Sequence, residues 1–149
     1  MSYTRFLYHI VFRTKCSLNT IPESHEKDLY AYILGFVNNK NAVLYRIGGM
    51  PNHIHMLVDL PPMLSVASFM QELKIATSKW LKTNSEFPDF QGWAEGYAAF
   101  TYSLKEKETV INYIKNQKEH HKVETFESEY RRFIEESGIQ IDEKYFLKD

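Results

Sequence analysis

The chain has 149 residues, which predicts a single domain over 1–149 with room for a sizeable core. A hydrophobic fraction of 44% and an aromatic fraction of 15% exclude a disordered chain, and a net charge of −1 argues against a protein that coats nucleic acid nonspecifically. No run approaches the ~20 apolar residues that span a bilayer, the first fifteen residues are too polar for a signal peptide, and the lone Cys16 fits a reducing compartment, so a cytoplasmic protein is expected.

In chain order, "TRFLYHIVFRTK" alternates Phe6, Tyr8, Ile10 and Phe12 against Leu7, His9 and Val11, the period-2 pattern of a strand. From Pro22 to about Lys40, Leu29, Ile33, Phe36 and Val37 recur at helical spacing, with Pro22 suited to a first turn. "AVLYRI" reads as a short strand closed by Gly48-Gly49 and Pro51, followed by the strand "HIHMLVDL", which Pro61-Pro62 ends. Ser65 is placed to cap a helix that buries Val66, Phe69, Met70, Leu73 and Trp80. "NSEFPDFQG" is a loop and "WAEGYAAFTYS" a fourth strand. A third helix is expected from about Glu108 to His121. A fourth begins near a Thr125 cap, carries Phe126, Tyr130, Phe133 and Ile134, and stops at Gly138. The resulting order, βαββαβ, predicts an α+β, ferredoxin-like (RRM-like) antiparallel sheet with helices on one face and appended C-terminal helices. Acidic residues gather in the segment 125–149, and without that end the chain would be basic.

Two histidines one residue apart stand out. Strand side chains alternate, so His53, His55 and Leu57 share one face, the two histidines roughly 6–7 Å apart at Cα. That spacing lets both imidazoles converge on one metal ion, although two polar residues on a solvated sheet face satisfy the same pattern. On the third helix Tyr113 and Gln117 are four apart and lie on one face within ~6 Å at Cβ. A tyrosine is a covalent nucleophile once its proton is removed or its oxyanion stabilised, and attack at phosphorus needs a cation on the nonbridging oxygens. His53, His55 and the Gln117 oxygen would supply three ligands for Mg²⁺ or Mn²⁺, the latter better matched to imidazole. The bland alternative is a packed Tyr113 and a solvated Gln117.

"PNHIHMLVDL", followed by "GWAEGYAAFTYS" and "VINYIKNQKEHH", resembles the single-tyrosine HUH transposases, which mobilise bacterial and archaeal insertion sequences as single-stranded DNA. The resemblance runs from "YHIVFRTK" through "QKEHHKVETFESEY". It implies that His53 and His55 are the metal-binding pair, Gln117 the third ligand and Tyr113 the nucleophile that forms a 5′-phosphotyrosine. It also implies DNA with hairpin ends as substrate, and a homodimer whose composite sites set the tyrosine of one subunit against the histidines of its partner. A domesticated endonuclease that processes palindromic repeats fits the same residues. A non-catalytic ferredoxin-like nucleic-acid module would need no metal and would leave their coincidence unexplained.

Other residues receive plainer readings. His121 lies four beyond Gln117 and could approach the metal, but His120 and His121 read better as a solvated helix end. His9 reads as a hydrogen-bonded core histidine. Lys74, Lys79 and Lys82 are candidates for DNA phosphate contact or simply a solvated face. Trp93, Tyr97 and Phe100 are candidates for base stacking or for core. No motif accounts for the acidic C-terminal segment.

Overall fold

The computed structural model describes residues 2–149. Strands β1 (Leu7–Arg13), β2 (Val43–Met50), β3 (His53–Asp59) and β4 (Ala98–Tyr102) form one antiparallel sheet in the order β2-β3-β1-β4. Helices α1 (Glu26–Asn39) and α2 (Val66–Lys82) make the two crossovers of the expected βαββαβ plan. Three further helices follow: α3 (Lys107–Lys115), α4 (Gln117–His120) and α5 (Phe126–Glu136).

The central strands β1 and β3 are buried on both faces, which separates the molecule into two packing layers. Ile10, Phe12, Ile54, Met56 and Val58 meet Leu29, Ile33 and Val37 of α1 and Phe69, Met70 and Leu73 of α2. The crossover helices therefore occupy one face, as the sequence predicts. The appended helices close the other. There Leu7 and Leu57 pack on Val110 and Ile114 of α3, while Val11, Ala98 and Phe100 pack on Phe126 of α5. His53 and His55 lie in this second layer and are wholly buried, which disposes of a solvated sheet face.

The local signals act largely as read. Ser65 Oγ accepts from the Ser68 amide at 3.1 Å, and Thr125 Oγ1 from the Ser128 amide at 3.2 Å. Gly138 adopts φ 77° just beyond α5. Four boundaries differ. Helix α1 begins at Glu26, because Pro22 is extended and a 3-10 turn over Glu23–His25 intervenes. Gly48-Gly49 do not end β2, which continues to Met50 with Gly48 opposite His55. A Cβ on Gly48 would stand 2.8 Å from the Ile114 carbonyl oxygen, so this glycine lets α3 lie directly against the strand. The helix expected over 108–121 breaks at Asn116 (φ −98°, ψ 21°) into α3 and α4. The fourth strand shrinks to five residues, leaving Trp93 in an isolated bridge to Thr14.

Candidate active site

Both strand histidines have one ring nitrogen fixed from behind. His53 Nδ1 lies 2.7 Å from Asn52 Oδ1, and His55 Nδ1 lies 2.8 Å from Nε2 of His9. His9 is thus the buried, hydrogen-bonded histidine expected of β1, and its partner His55 lies on the neighbouring strand β3. An amide oxygen only accepts, so the His53 Nδ1 carries the proton. Burial pushes His53 down to about 4, outweighing the raising effect of its contact with Glu129, so the ring is neutral near pH 7. Its Nε2 then presents a lone pair. That lone pair faces Gln117 Oε1 at 3.2 Å and Glu129 Oε1 at 3.3 Å. Three acceptors converging in a buried space repel one another unless a cation sits among them.

The break at Asn116 separates Tyr113 on α3 from Gln117 on α4, yet both reach the cluster. The Tyr113 hydroxyl donates to Glu129 Oε2, and Arg132 Nη2 donates to the same hydroxyl oxygen at 3.0 Å. Tyr113 is half-buried, its ring centroid 5.9 Å from that of His55 in the same chain. Burial and the Glu129 hydrogen bond push the phenol above its ordinary pKa, while Arg132 pulls the other way. Gln117 is buried and donates its amide N–H to Glu129 Oε2 at 3.0 Å, which turns its oxygen toward His53.

Two residues that sequence reading set aside stand at the centre. His121 is not a solvated helix end: its side chain is 5% exposed, with Nε2 3.1 Å from Glu129 Oε1. His120 does stand partly exposed, against Glu124. Glu129, in the acidic segment to which no role was assigned, is completely buried with an oxygen 2.9 Å from His55 Nε2. Burial alone would raise its carboxyl, but its contacts with the imidazoles of His121, His53 and His55 outweigh that and hold it far below the usual carboxylate range. One signal could have found it. Glu129 is three residues from Phe126 and four from Phe133, so it lies on the apolar side of an otherwise acidic helix.

The donor set fits a metal ion. One nitrogen each from His53, His55 and His121 and one Glu129 oxygen lie within 4.8 Å of one another. Opposed ligands at ~2.0–2.2 Å from an ion stand at most ~4.4 Å apart, so little contraction is needed.

The lysines form a separate surface. Lys74, Lys79 and Lys82 line a groove with Lys15, Ser78 and Trp93, and no residue of the histidine–tyrosine cluster borders it. Lys74 is tethered, with Nζ 2.9 Å from the Ala94 and 2.5 Å from the Gly96 carbonyl oxygen. Trp93 donates its indole N–H to Thr77 at 2.9 Å and packs on Phe12, and Phe100 packs in the second layer, so both serve largely as core. Among the described residues no helix is long and apolar enough to cross a membrane.

A sheet with paired histidines beneath a tyrosine-bearing helix defines a class of protein that the comparisons specify. Residues 2–117 match the family described as "Transposase IS200 like". The chain is 30% identical over 135 residues to the transposase for insertion sequence element IS200 of Salmonella typhimurium, covering 83% of this chain and 85% of that protein. The Salmonella typhi protein of the same name matches equally. A Deinococcus radiodurans protein assigned as a transposase shares the fold (TM-score 0.59, 20% identity, 78% of this chain and 93% of that one). So does a REP-associated tyrosine transposase bound to a REP hairpin (TM-score 0.57, 12% identity, 81% and 72%). The chain belongs to the IS200-like transposase family.

Proposed function

We propose that this transposase cuts and rejoins single-stranded DNA at insertion-sequence ends, with Tyr113 as nucleophile and a divalent ion at the His53–His55 pair. The reading is carried by one observation: the Tyr113 hydroxyl shares a carboxylate, Glu129, with both strand histidines. Glu129 Oε2 holds the phenol proton, and the Arg132 guanidinium stabilises negative charge on the phenol oxygen. The phenol oxygen bonds to phosphorus while the bond from phosphorus to the 3′ oxygen breaks. A 5′-phosphotyrosine forms, and the released 3′ oxygen takes a proton. Attack by a 3′-OH on that linkage reverses the step and joins strands, so no nucleotide cofactor is required. His53 and His55 would hold a divalent ion, Mn²⁺ in preference to Mg²⁺ on imidazole donors, which when bound would supply positive charge to the nonbridging oxygens. Lys15, Lys74, Lys79 and Lys82, with their spaced positive charges, are proposed to track the strand's phosphates.

The family resemblance implies a homodimer with composite sites, the tyrosine of one subunit set against the histidines of its partner. Within this single chain the Tyr113 ring stands 5.9 Å from that of its own His55, and subunit exchange distinguishes a cis from a trans site.

Incubation with single-stranded element-end DNA and Mn²⁺ is expected to yield a denaturation-resistant protein–DNA adduct. Tyr113→Phe should abolish the adduct and retain DNA binding. Equal cleavage of a fully paired duplex, or an adduct formed by Tyr113→Phe, would rule the reading out.

A further inference from the structure

We infer that the metal centre of this chain is made by three imidazoles and one carboxylate, from His53, His55, His121 and Glu129, and that Gln117 holds the carboxylate rather than the ion. The inference rests on the metal-dependent reading above and names the ligand set within it. The three imidazole Nε2 atoms close on a single oxygen, Glu129 Oε1, at 3.3, 2.9 and 3.1 Å for His53, His55 and His121. Gln117 donates its amide N–H to Glu129 Oε2 at 3.0 Å, the role of a support, while its oxygen stands 3.2 Å from His53 Nε2 at the edge of the cluster. A neutral amide oxygen is also a poorer donor than the buried carboxylate beside it.

Further support comes from what lies behind the ligands. His53 is held by Asn52, His55 by His9, and Glu129 through its second oxygen by Gln117 and Tyr113. Ligands oriented through their second atom are the usual construction of a protein metal site. The family match ends at Gln117, so His121 and Glu129 lie beyond the span that it describes. Three imidazoles select a first-row transition ion over Mg²⁺, and six-coordinate Mn²⁺ would keep two positions for phosphate and water. The nucleophile is tied in as well, since the carboxylate proposed as ligand through one oxygen accepts the Tyr113 hydroxyl with the other.

The test is calorimetric titration of the full chain with Co²⁺, combined with X-ray absorption on the loaded protein to count imidazoles. Wild type is expected to bind one ion per chain with three imidazoles. His121→Ala should reduce the count to two. Both His121→Ala and Glu129→Gln should weaken binding by more than about 100-fold, beyond the ~10–100-fold that loss of a supporting residue costs. Gln117→Ala should stay within that range and keep all three imidazoles. Two imidazoles in wild type, with Gln117→Ala as damaging as His53→Ala and Glu129→Gln harmless, would overturn this ligand set while leaving the metal reading intact. A wild-type chain that binds no ion, or His53→Ala binding as wild type, would overturn both. The imidazole count on wild type needs no substitution, so a variant that fails to fold does not remove the test.

Discussion

Asn52 contributes nothing to a metal directly, yet its side-chain oxygen decides which nitrogen of His53 carries the proton. Asn52→Ala should therefore weaken Co²⁺ or Mn²⁺ binding by about 10–100-fold, the range for loss of a group that orients a ligand. The fold should change little, because the substitution removes a partner and not a packed volume. Calorimetry alongside a thermal melt would check both halves, and unchanged affinity would show that the His53 tautomer is fixed by something else. At this scale the sequence was legible where local period sufficed. His53 and His55 on one strand face, and Tyr113 four residues from Gln117, follow from backbone geometry alone. Glu129 and His121 did not follow. An acid among acids reads as solvated, and only the docking of α5 onto the sheet buries this one.

Among elements, the contact between β2 and α3 has no side chain at its centre. Gly48→Val should push the Ile114 carbonyl and α3 away from the strand, carrying Tyr113 off the cluster. Overpacking of this kind costs about 1–3 kcal/mol, so the protein should still fold while adduct formation falls steeply. A Gly48→Val protein with wild-type cleavage would mean that α3 accommodates the added bulk. Ser65→Ala supplies the contrast. It removes the cap of α2, at about 1 kcal/mol of stability, and should leave cleavage unchanged because α2 lies on the other face of the sheet. The caps and the helix that buries Phe69 and Leu73 could be read from sequence because their signals are local. The break at Asn116 and the extension of β2 through its glycines could not, since both answer to the packing of α3 and α4 against the sheet.

For the whole molecule, the sheet's order could be inferred from the alternation of elements, and the covering of its second face could not. Both faces of β1 and β3 are apolar enough to demand partners, but nothing local says which helices supply them. Subunit mixing tests how that second face is completed. Tyr113→Phe and His53→Ala proteins, each expected to be inactive alone, should recover nothing when exchanged if the site is built in cis. Recovery with heterodimers demonstrably formed would establish composite sites in trans.

The division into two layers bears on how the protein comes into being. The first layer is complete once α2 and the strands are made, because its buried residues end at Phe90. The second draws on His9, His53, Tyr113, His121 and Glu129, so it waits for the last of these to leave the ribosome. A nascent chain that ends shortly after Gln117 would carry the histidine pair and the tyrosine but not Glu129 or Arg132. Cutting ability should thus arise in one late step of synthesis, on a sheet already folded, and partly made copies should hold no strand of DNA covalently.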